Sequence, residues 1–474
     1  MERAAQKGPV QGWLKPALRW LPLALLVGWA GPGDAQQSAR DPKDLISEER
    51  IVRVLQQMIR INTEFAKGVV HNHAEIVAFL EKELRSIGAE VEVVRPQEPF
   101  EAPYHRGLGV KYPGDPADFP VVVARLRGTA GQPVLGLETL YNSVVIGDRS
   151  QWTVDPLGGE IIDGKIYGRG ATNSHASVAR YIEALRVIKA SGVRLKGDLV
   201  VTLTPGEGAT EFAMPWVVAH RPELVRADWY LMGCCGPNFT KQGGHIWAKL
   251  TVLGTMHHPG SARVNAVHQM AEVLSKVLDV DDWMTWREDP LFPKPHVQAT
   301  VLSSGDSRQV AVNVMPAKVE AHLDIRLVPN QDPPQVVAEL NRLLDTLKQK
   351  DENLAVQLEV AGVQKVPEPA WDRITEDDPL VQAILALSRE HLGRDVQMEW
   401  QGGVGGGRPD FWNLGGLVVF SGGLGLPRGG GGSHSPDEYA VIDALVPNTK
   451  IIVDLVQRVL GDTAPRSTSG AGLR

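Results

Sequence analysis

Three short runs of apolar, mostly β-branched residues constrain the fold of this chain most strongly. They read "FPVVVARLRG", "QPVLGLETLY" and "KGDLVVTLTP", at residues 119–128, 132–141 and 196–205. Continuous apolar runs of this length are typical of strands that are buried on both faces of a sheet. Amphipathic helical repeats such as "DLISEERIVRVLQQMIRI" occur along the same stretch of chain. We therefore expect an α/β fold with a mostly parallel sheet covered by helices.

A glycine turn opens one of the expected helices, in the stretch "KIYGRGATNSHASVARYIEAL" at residues 165–185. Apolar residues recur behind the turn at helical spacing, and Gly192 is the expected end of the helix. Asn173 and Ser174 are expected to cap the first helical N–H groups. Enzymes often place charged groups at such a turn, whereas Asn173, Ser174 and His175 include no carboxylate.

The pattern changes near His245, and this change indicates a second, inserted domain. Alternating strands such as "HIWAKLTVLGT" and "AKVEAHLDIRLVP" are separated by helical repeats there. This order favours an antiparallel sheet backed by two helices, a ferredoxin-like α+β domain. The predicted divisions are a signal peptide at 1–35, a catalytic-type domain at 43–243 and 363–461, the inserted domain at 244–362, and a disordered tail at 462–474.

The beginning of the chain predicts export. Lys7, Lys15 and Arg19 precede a short apolar run, and "GDA" at residues 33–35 resembles a cleavage site, as in a secretory signal peptide. An uncleaved anchor is the alternative, but the run is short for a bilayer span, which needs about 20 residues. We expect a periplasmic or secreted protein with no membrane span after cleavage. The net charge of −7 argues against nucleic acid as a partner.

The two cysteines, Cys234 and Cys235, are adjacent. Neighbouring Cα atoms are about 3.8 Å apart, whereas an unstrained disulfide needs about 4.4–6.8 Å. Two free thiols, a vicinal disulfide or a metal ligand all remain open.

Several separate motifs resemble one known family of enzymes. The stretches "GDRSQWTVDPLGGEIIDGKIYGRGAT", "LKGDLVVTLTPGEG", "NVMPAKVEAHLDIRL" and "GSHSPDEY" occur in family order and spacing. They are similar to the co-catalytic zinc family of acetylornithine deacetylase, succinyl-diaminopimelate desuccinylase, aminoacylase and glutamate carboxypeptidase. The resemblance covers about residues 43 to 461. It implies the α/β fold with an inserted lid domain, two zinc ions, a general-base Glu, and cleavage of amide bonds beside an amino-acid carboxylate.

Most metal-binding positions of that family are replaced in this chain. His434 is the one ligand that matches, and Cys234 or Cys235 stands where the family has a further acidic ligand. A dinuclear zinc site is therefore not expected, because neutral or absent side chains cannot offset two dications. The replaced positions are Leu140 for a zinc-binding His, Asn142 for its supporting Asp, Asn173 for the Asp that bridges the two zinc ions, and Gly208 for a metal-binding Glu.

Other family positions are retained. Glu207 stands at the general-base position, and His258 matches a His that reaches the substrate across a dimer. The predicted substrate-binding residues are Asn313, Arg326, Gly403 and Arg408, the last of which falls near a family Asp. Each of these residues also has a purely structural interpretation, such as a turn cap or a solvated side chain.

Two functions remain open from the sequence. The first is an amide or peptide hydrolase with a rebuilt site, in which His434, Cys234 or Cys235, and His175, with Glu207 or Glu211, hold one zinc ion. A metal-free variant would use Glu207, His175 and a cysteine. The second is an inactive pseudo-hydrolase that binds a peptide or amino-acid derivative. We expect a homodimer through the inserted domain, or pairing with an active relative.

Overall fold

A computed structural model describes most of the chain. It describes residues 40–66, 69–98, 100, 108, 114–207, 213–233, 244–260, 264–289, 293–304, 312–328, 331–364, 379–393, 417–420 and 432–461. The predicted signal peptide and tail fall outside these ranges, as do Gly208, Glu211, Cys234, Cys235, Gly403 and Arg408. The domain boundaries and the export signal stay predictions.

The helices begin and end where the sequence supplies suitable caps. Ser47 precedes α1, and its hydroxyl accepts the N–H of Arg50. Gly192 follows α3 with a φ of +76°, a conformation that glycine adopts without strain. The helices are α1 (Glu48–Arg60), α2 (His73–Ser86), α3 (Ala176–Ser191), α4 (Ala213–His220), α5 (Pro222–Val225), α6 (Ala266–Val277), α7 (Pro333–Lys350), α8 (Pro379–Leu392) and α9 (Leu445–Leu460).

The strands form two larger sheets and two small ones. The strands are β1 (Phe65–Ala66), β2 (Val69–Val70), β3 (Glu90–Val94), β4 (Val121–Leu126), β5 (Val134–Leu140), β6 (Ile161–Ile162), β7 (Lys165–Tyr167), β8 (Asp198–Thr204), β9 (Trp229–Met232), β10 (His245–Leu253), β11 (His296–Ser304), β12 (Lys318–Arg326), β13 (Ala355–Gln364), β14 (Leu417–Phe420) and β15 (Tyr439–Val441).

The six-stranded sheet has the order β14-β9-β5-β8-β4-β3. The pairs β14–β9, β9–β5 and β5–β8 are parallel, as the apolar runs predict, and every residue of β5 and β8 is buried. In contrast, β4 runs antiparallel to β8, and β3 runs antiparallel to β4. Only residues 127–133 connect β4 to β5. Parallel strands need a crossover of about a dozen residues or more, so this short link forces the reversal.

The four-stranded sheet has the order β11-β12-β10-β13, and all its pairs are antiparallel. With α6 after β10 and α7 after β12, it is the predicted ferredoxin-like arrangement. The strand β11 is absent from the sequence prediction. It lies at the sheet edge with mostly exposed residues, so it lacks the alternation of apolar and polar residues that marks a half-buried strand.

Helix α3 lies at the centre of the larger domain. It packs against α1, α9 and β5, and nearly all of its residues are buried, which explains its weak amphipathic pattern. Glu183 is 2% exposed there, and its carboxylate pairs with Arg50 from α1 at 2.6 Å. The described part of the chain contains no helix that is long and apolar enough to cross a membrane.

Candidate active site

The carboxyl ends of β5 and β8 bring Asn142 and Glu207 together. Asn142 is 1% exposed, and its Oδ1 accepts the N–H groups of Gly206 and Glu207 at 3.0 and 2.9 Å. Its Nδ2 donates to the carbonyl of Glu207 at 2.8 Å. A carboxylate could accept the first two hydrogen bonds but could not make the third, because it has no donor when ionised. The amide at position 142 therefore fixes the backbone of the predicted general base.

The carboxylate of Glu207 faces His434. Glu207 Oε1 and His434 Nε2 are 3.0 Å apart, and the Glu207 side chain is 11% exposed. Burial lowers the pKa of His434, but the hydrogen bond and charge of Glu207 and the charge of Glu438 outweigh it, so the pKa is raised above 6.5. The imidazole therefore stays protonated to a higher pH than an ordinary histidine, and its charge balances that of Glu207.

Asn173, at the position of the family's bridging Asp, joins the same network as a neutral group. Its Nδ2 lies 2.9 Å from His434 Nε2, and its Oδ1 accepts the hydroxyl of Ser174 at 2.8 Å. With a proton on Nε2 the ring donates to Glu207, and without it Nε2 accepts from Asn173. The predicted helix capping by Asn173 and Ser174 is wrong. Neither side chain caps α3, because the turn at 171–175 directs both into this network.

Glu438 connects the glycine turn to the segment that carries His434. It is fully buried, and its Oε1 accepts the backbone N–H groups of Thr172 and Asn173, both at 3.0 Å. Its Oε2 pairs with Arg169 at 2.7 Å, and Arg169 is itself 3% exposed. Antiparallel pairing of β15 with β7 holds the same two segments together. Burial raises the pKa of Glu438 despite these hydrogen bonds and the charge of Arg169.

The donor atoms of this site do not fit a pair of zinc ions. Leu140 is buried at the end of β5 and offers no ligand atom, and Asn173 offers an amide where two dications need a carboxylate between them. Asn142 Oδ1, the one side-chain atom of this residue that could coordinate a metal, already accepts the N–H groups of Gly206 and Glu207. His434 Nε2 is already in contact with both Glu207 and Asn173.

His175, a predicted zinc ligand, lies apart from His434. It is 1% exposed, and its Nε2 lies 3.1 Å from the carbonyl oxygen of Tyr141. Its ring packs on Gly170, where a Cβ would come within 2.6 Å of the imidazole. Burial lowers the pKa of His175 to about 4, so this ring is neutral at pH 7. His175 does not form a three-ligand cluster with His434 and Glu207 in the described ranges.

One set of three possible metal ligands does occur among the described residues, at the contact of α8 and α9. It consists of Glu390, His391 and Asp454. His391 Nε2 lies 2.6 Å from one Asp454 oxygen, and the ammonium of Lys43 lies 2.7 Å from the other. Arg458 lies 3.4 Å from Glu390. Because two basic side chains already pair with these carboxylates, we interpret the set as an ion-pair network between helices.

Of the predicted substrate residues in the inserted domain, His258 and Asn313 lie on two loops that contact each other, and Arg326 lies at the end of β12. His258 is exposed, and its Nδ1 accepts the N–H of Gly260. Asn313 is also exposed, and its loop pairs with the His258 loop through a bridge between His257 and Met315. Arg326 pairs with Asp324 on the same strand at 2.6 Å. No hydrogen bond or ion pair between described residues joins His258, Asn313 or Arg326 to Glu207.

The sequence pointed to Glu207 and His434, but not to the residues that hold these two side chains in place. Asn142 entered only as a lost carboxylate, and Arg169 and Glu438 did not enter at all. The sequence carried one usable signal, since Arg169 and Glu438 lie in the two motifs "GRGAT" and "SPDEY". Charged residues are almost never fully buried unless they are paired, so two such residues of opposite sign in these motifs are candidates for one ion pair.

Comparisons with known proteins identify one family. The sequence model of peptidase family M20/M25/M40 matches residues 143–458, about two thirds of the chain. Succinyl-diaminopimelate desuccinylase of Stenotrophomonas maltophilia (strain R551-3) is 29% identical over 356 residues, which cover 71% of this chain and 88% of that protein. The protein of the same name from Rhodospirillum centenum (strain ATCC 51521 / SW) is 28% identical over 342 residues, covering 68% and 81%.

Solved structures are similar to this one over most of its length. Human carnosine dipeptidase 1 superposes with a TM-score of 0.69 at 17% identity, over 88% of this chain and 97% of that chain. The dipeptidase Dug1p of Saccharomyces cerevisiae gives 0.71 at 16% identity, over 88% and 96%. At such identities the similarity concerns the fold, and it confirms the predicted fold class.

We expect Glu438→Ala to destabilise the protein strongly. The substitution leaves the Arg169 guanidinium buried without its carboxylate, a change that costs about 3–5 kcal/mol when a buried pair is broken. Urea unfolding followed by tryptophan fluorescence measures the effect. Glu390→Ala is the control, because Glu390 is half exposed and such pairs contribute about 0–1 kcal/mol. Equal losses in the two variants would contradict the assigned role of Glu438.

Proposed function

The chain belongs to peptidase family M20/M25/M40, and on that basis we propose that it hydrolyses an amide bond of a peptide or an N-acyl amino acid through a remodelled site without a zinc pair. The relatives named above are enzymes that act on amide bonds according to their names, which supports the reaction class. The remodelled site follows from the replaced positions at Leu140 and Asn173.

The observation that carries the proposal is the position of Glu207. Asn142 makes two hydrogen bonds to its backbone and one to that of Gly206, and the Glu207 carboxylate is mostly buried against His434. A fixed carboxylate can take a proton from water as the water oxygen attacks the amide carbon, and can return that proton to the departing amine nitrogen.

The expected turnover is slow. General-base catalysis contributes about 10²–10⁴-fold to the rate, whereas zinc lowers the pKa of a bound water from 15.7 to about 7. A carboxylate alone therefore replaces only a small part of what metal ions supply. One zinc ion on His434 and Cys234 stays a sequence prediction, since Cys234 lies beyond the described ranges.

A catalytically inactive protein that binds a peptide or amino-acid derivative is the second candidate function. The specific observation in its favour is that the replaced positions form a hydrogen-bonded network. His434 Nε2 lies beside both Glu207 and Asn173 and bonds to one or the other according to whether it carries a proton, and Asn142 Oδ1 accepts two backbone N–H groups. A site of this kind keeps its shape without metal, which suits binding as well as catalysis.

A homodimer through the inserted domain is part of the proposal. Strand β11 lies at the open edge of the four-stranded sheet, and Val301 and Leu302 on it are 49% and 62% exposed. An exposed apolar edge strand is a ready surface for pairing with a second copy. In such a dimer His258 of each copy is the candidate donor to the developing oxyanion in the other copy's site.

We expect the Glu207→Gln variant to lose at least about 100-fold in turnover while it still binds substrate, because the amide cannot accept the proton. Release of free amine from dipeptides and from N-acetyl and N-succinyl amino acids, followed by mass spectrometry, measures this. Glu160→Gln is the control, since Glu160 is an exposed glutamate that takes no part in the contacts of Glu207 and His434. Turnover by Glu207→Gln at the wild-type rate would exclude the base role, and saturable binding without wild-type turnover would favour the binding protein.

Leu302→Lys is expected to convert a dimer into a monomer, because it places a charge on the apolar edge of β11. Light scattering coupled to gel filtration gives the molar mass directly. Ile161→Lys, at another exposed apolar position (49% against 62% for Leu302) in β6 of the other domain, should leave the dimer intact. A monomeric wild-type chain, or a dimer that persists in Leu302→Lys, would contradict this interface.

A further inference from the structure

Helix α3 contains a buried arginine that has no carboxylate partner among the described residues. Arg180 is 4% exposed, its Nε donates to the carbonyl of Ala176 at 3.1 Å, and its Nη2 donates to the hydroxyl of Ser177 at 2.7 Å. Glu183 on the same helix, in contrast, is paired with Arg50. Arg180 is therefore an exception that needs an explanation.

An unpaired guanidinium in this position is costly. Removing an ion from water costs several kcal/mol even after the protein relaxes, unless an opposite charge or hydrogen bonds compensate. Burial lowers the pKa of Arg180 to about 10, so the side chain still carries its charge at pH 7. The two hydrogen bonds to neutral oxygens satisfy part of the donor capacity, and Nη1 has no hydrogen-bond partner in the part of the chain that the structure describes.

The guanidinium lies at the carboxyl edge of the main sheet. Its bond to Ala176 folds the side chain back along the first turn of α3. Ser177 packs against Gly233 at the end of β9, where a Cβ would lie 2.9 Å from the Ser177 Cβ. In open α/β sheets ligands bind beyond this edge of the strands.

The electrostatic surroundings favour an anion in this place. The positive end of the α3 dipole lies within one turn of the guanidinium, and the first turn of α3 contains no acidic residue. The Ser177 oxygen accepts a hydrogen bond from Arg180 Nη2, so its own O–H remains a donor. Nη1 and this hydroxyl together present donors of the kind that a carboxylate accepts in pairs.

We propose that Arg180 and Ser177 form a binding site for the carboxylate group of a small organic acid, separate from the Glu207–His434 pair. The bound carboxylate supplies the missing countercharge and accepts from Nη1 and the Ser177 hydroxyl. The site is independent of turnover, since neither residue contacts Glu207 or His434 in the described ranges. Binding therefore stabilises the folded protein whether or not the chain is an active hydrolase.

Thermal unfolding in sodium acetate and in sodium succinate, against sodium chloride at equal ionic strength, tests the site. The wild-type chain should show a saturable rise in Tm of a few °C with the carboxylates, and Arg180→Leu should show none. Ser177→Ala should show a reduced rise. Arg326→Leu and Glu207→Gln should respond like the wild type, which separates this site from the predicted substrate residues.

The behaviour in chloride gives a second, independent criterion. Arg180→Leu should be at least as stable as the wild type, because it removes an unpaired buried charge. Arg125→Leu is the control and should lower Tm, since it removes the nearer and more buried of the two arginines that pair with Asp198, at 2.8 Å against 3.2 Å for Arg127. A carboxylate response that survives in Arg180→Leu, no response in the wild type, or an Arg180→Leu chain that is destabilised or unfolded would overturn the proposal.

Discussion

The buried ion pair between Arg169 and Glu438 is the interaction on which the site depends. It joins two segments that are more than 260 residues apart in the sequence, and both partners are almost fully removed from water. Glu438 also accepts the N–H groups of Thr172 and Asn173, so the carboxylate fixes the glycine turn as well as the loop of His434. The pairing of β15 with β7 and the hydrogen bond from the Thr172 hydroxyl to the Tyr439 carbonyl join the same segments. Together with the ion pair they hold Asn173 Nδ2 at 2.9 Å from His434 Nε2.

The site achieves charge balance without metal ions. Glu207 is negative, His434 is positive, and the neighbouring positions 140, 142 and 173 are neutral. Two zinc ions there would add four positive charges, whereas among the described residues only the Glu207 carboxylate contacts His434 directly, and Glu438 is already paired with Arg169. The substitution of Asn for Asp at position 142 also adds a donor, so the altered residues act as a consistent set rather than as isolated losses.

Much of the fold could be predicted from the sequence, because burial leaves a direct pattern. The apolar runs of β5 and β8 and the position of Gly192 after α3 are local signals. The direction of β4 depends on the short loop that follows it, and a hydrophobic pattern does not report strand direction. Strand β11 is mostly exposed, so it leaves no hydrophobic pattern from which to predict it. In the site, the positions of Glu207 and His434 in sequence motifs predict their role. The roles of Asn142 and Glu438 could not be predicted, because they depend on hydrogen bonds to backbone groups that are distant in sequence.

The chain retains the family scaffold, whereas the described residues of its site do not fit a zinc pair. The most direct measurement is the metal content of the purified chain without residues 1–35, by elemental mass spectrometry after dialysis against zinc. We expect no more than one zinc ion per chain, because Leu140 and Asn173 cannot complete two coordination spheres. Two zinc ions per chain would contradict it.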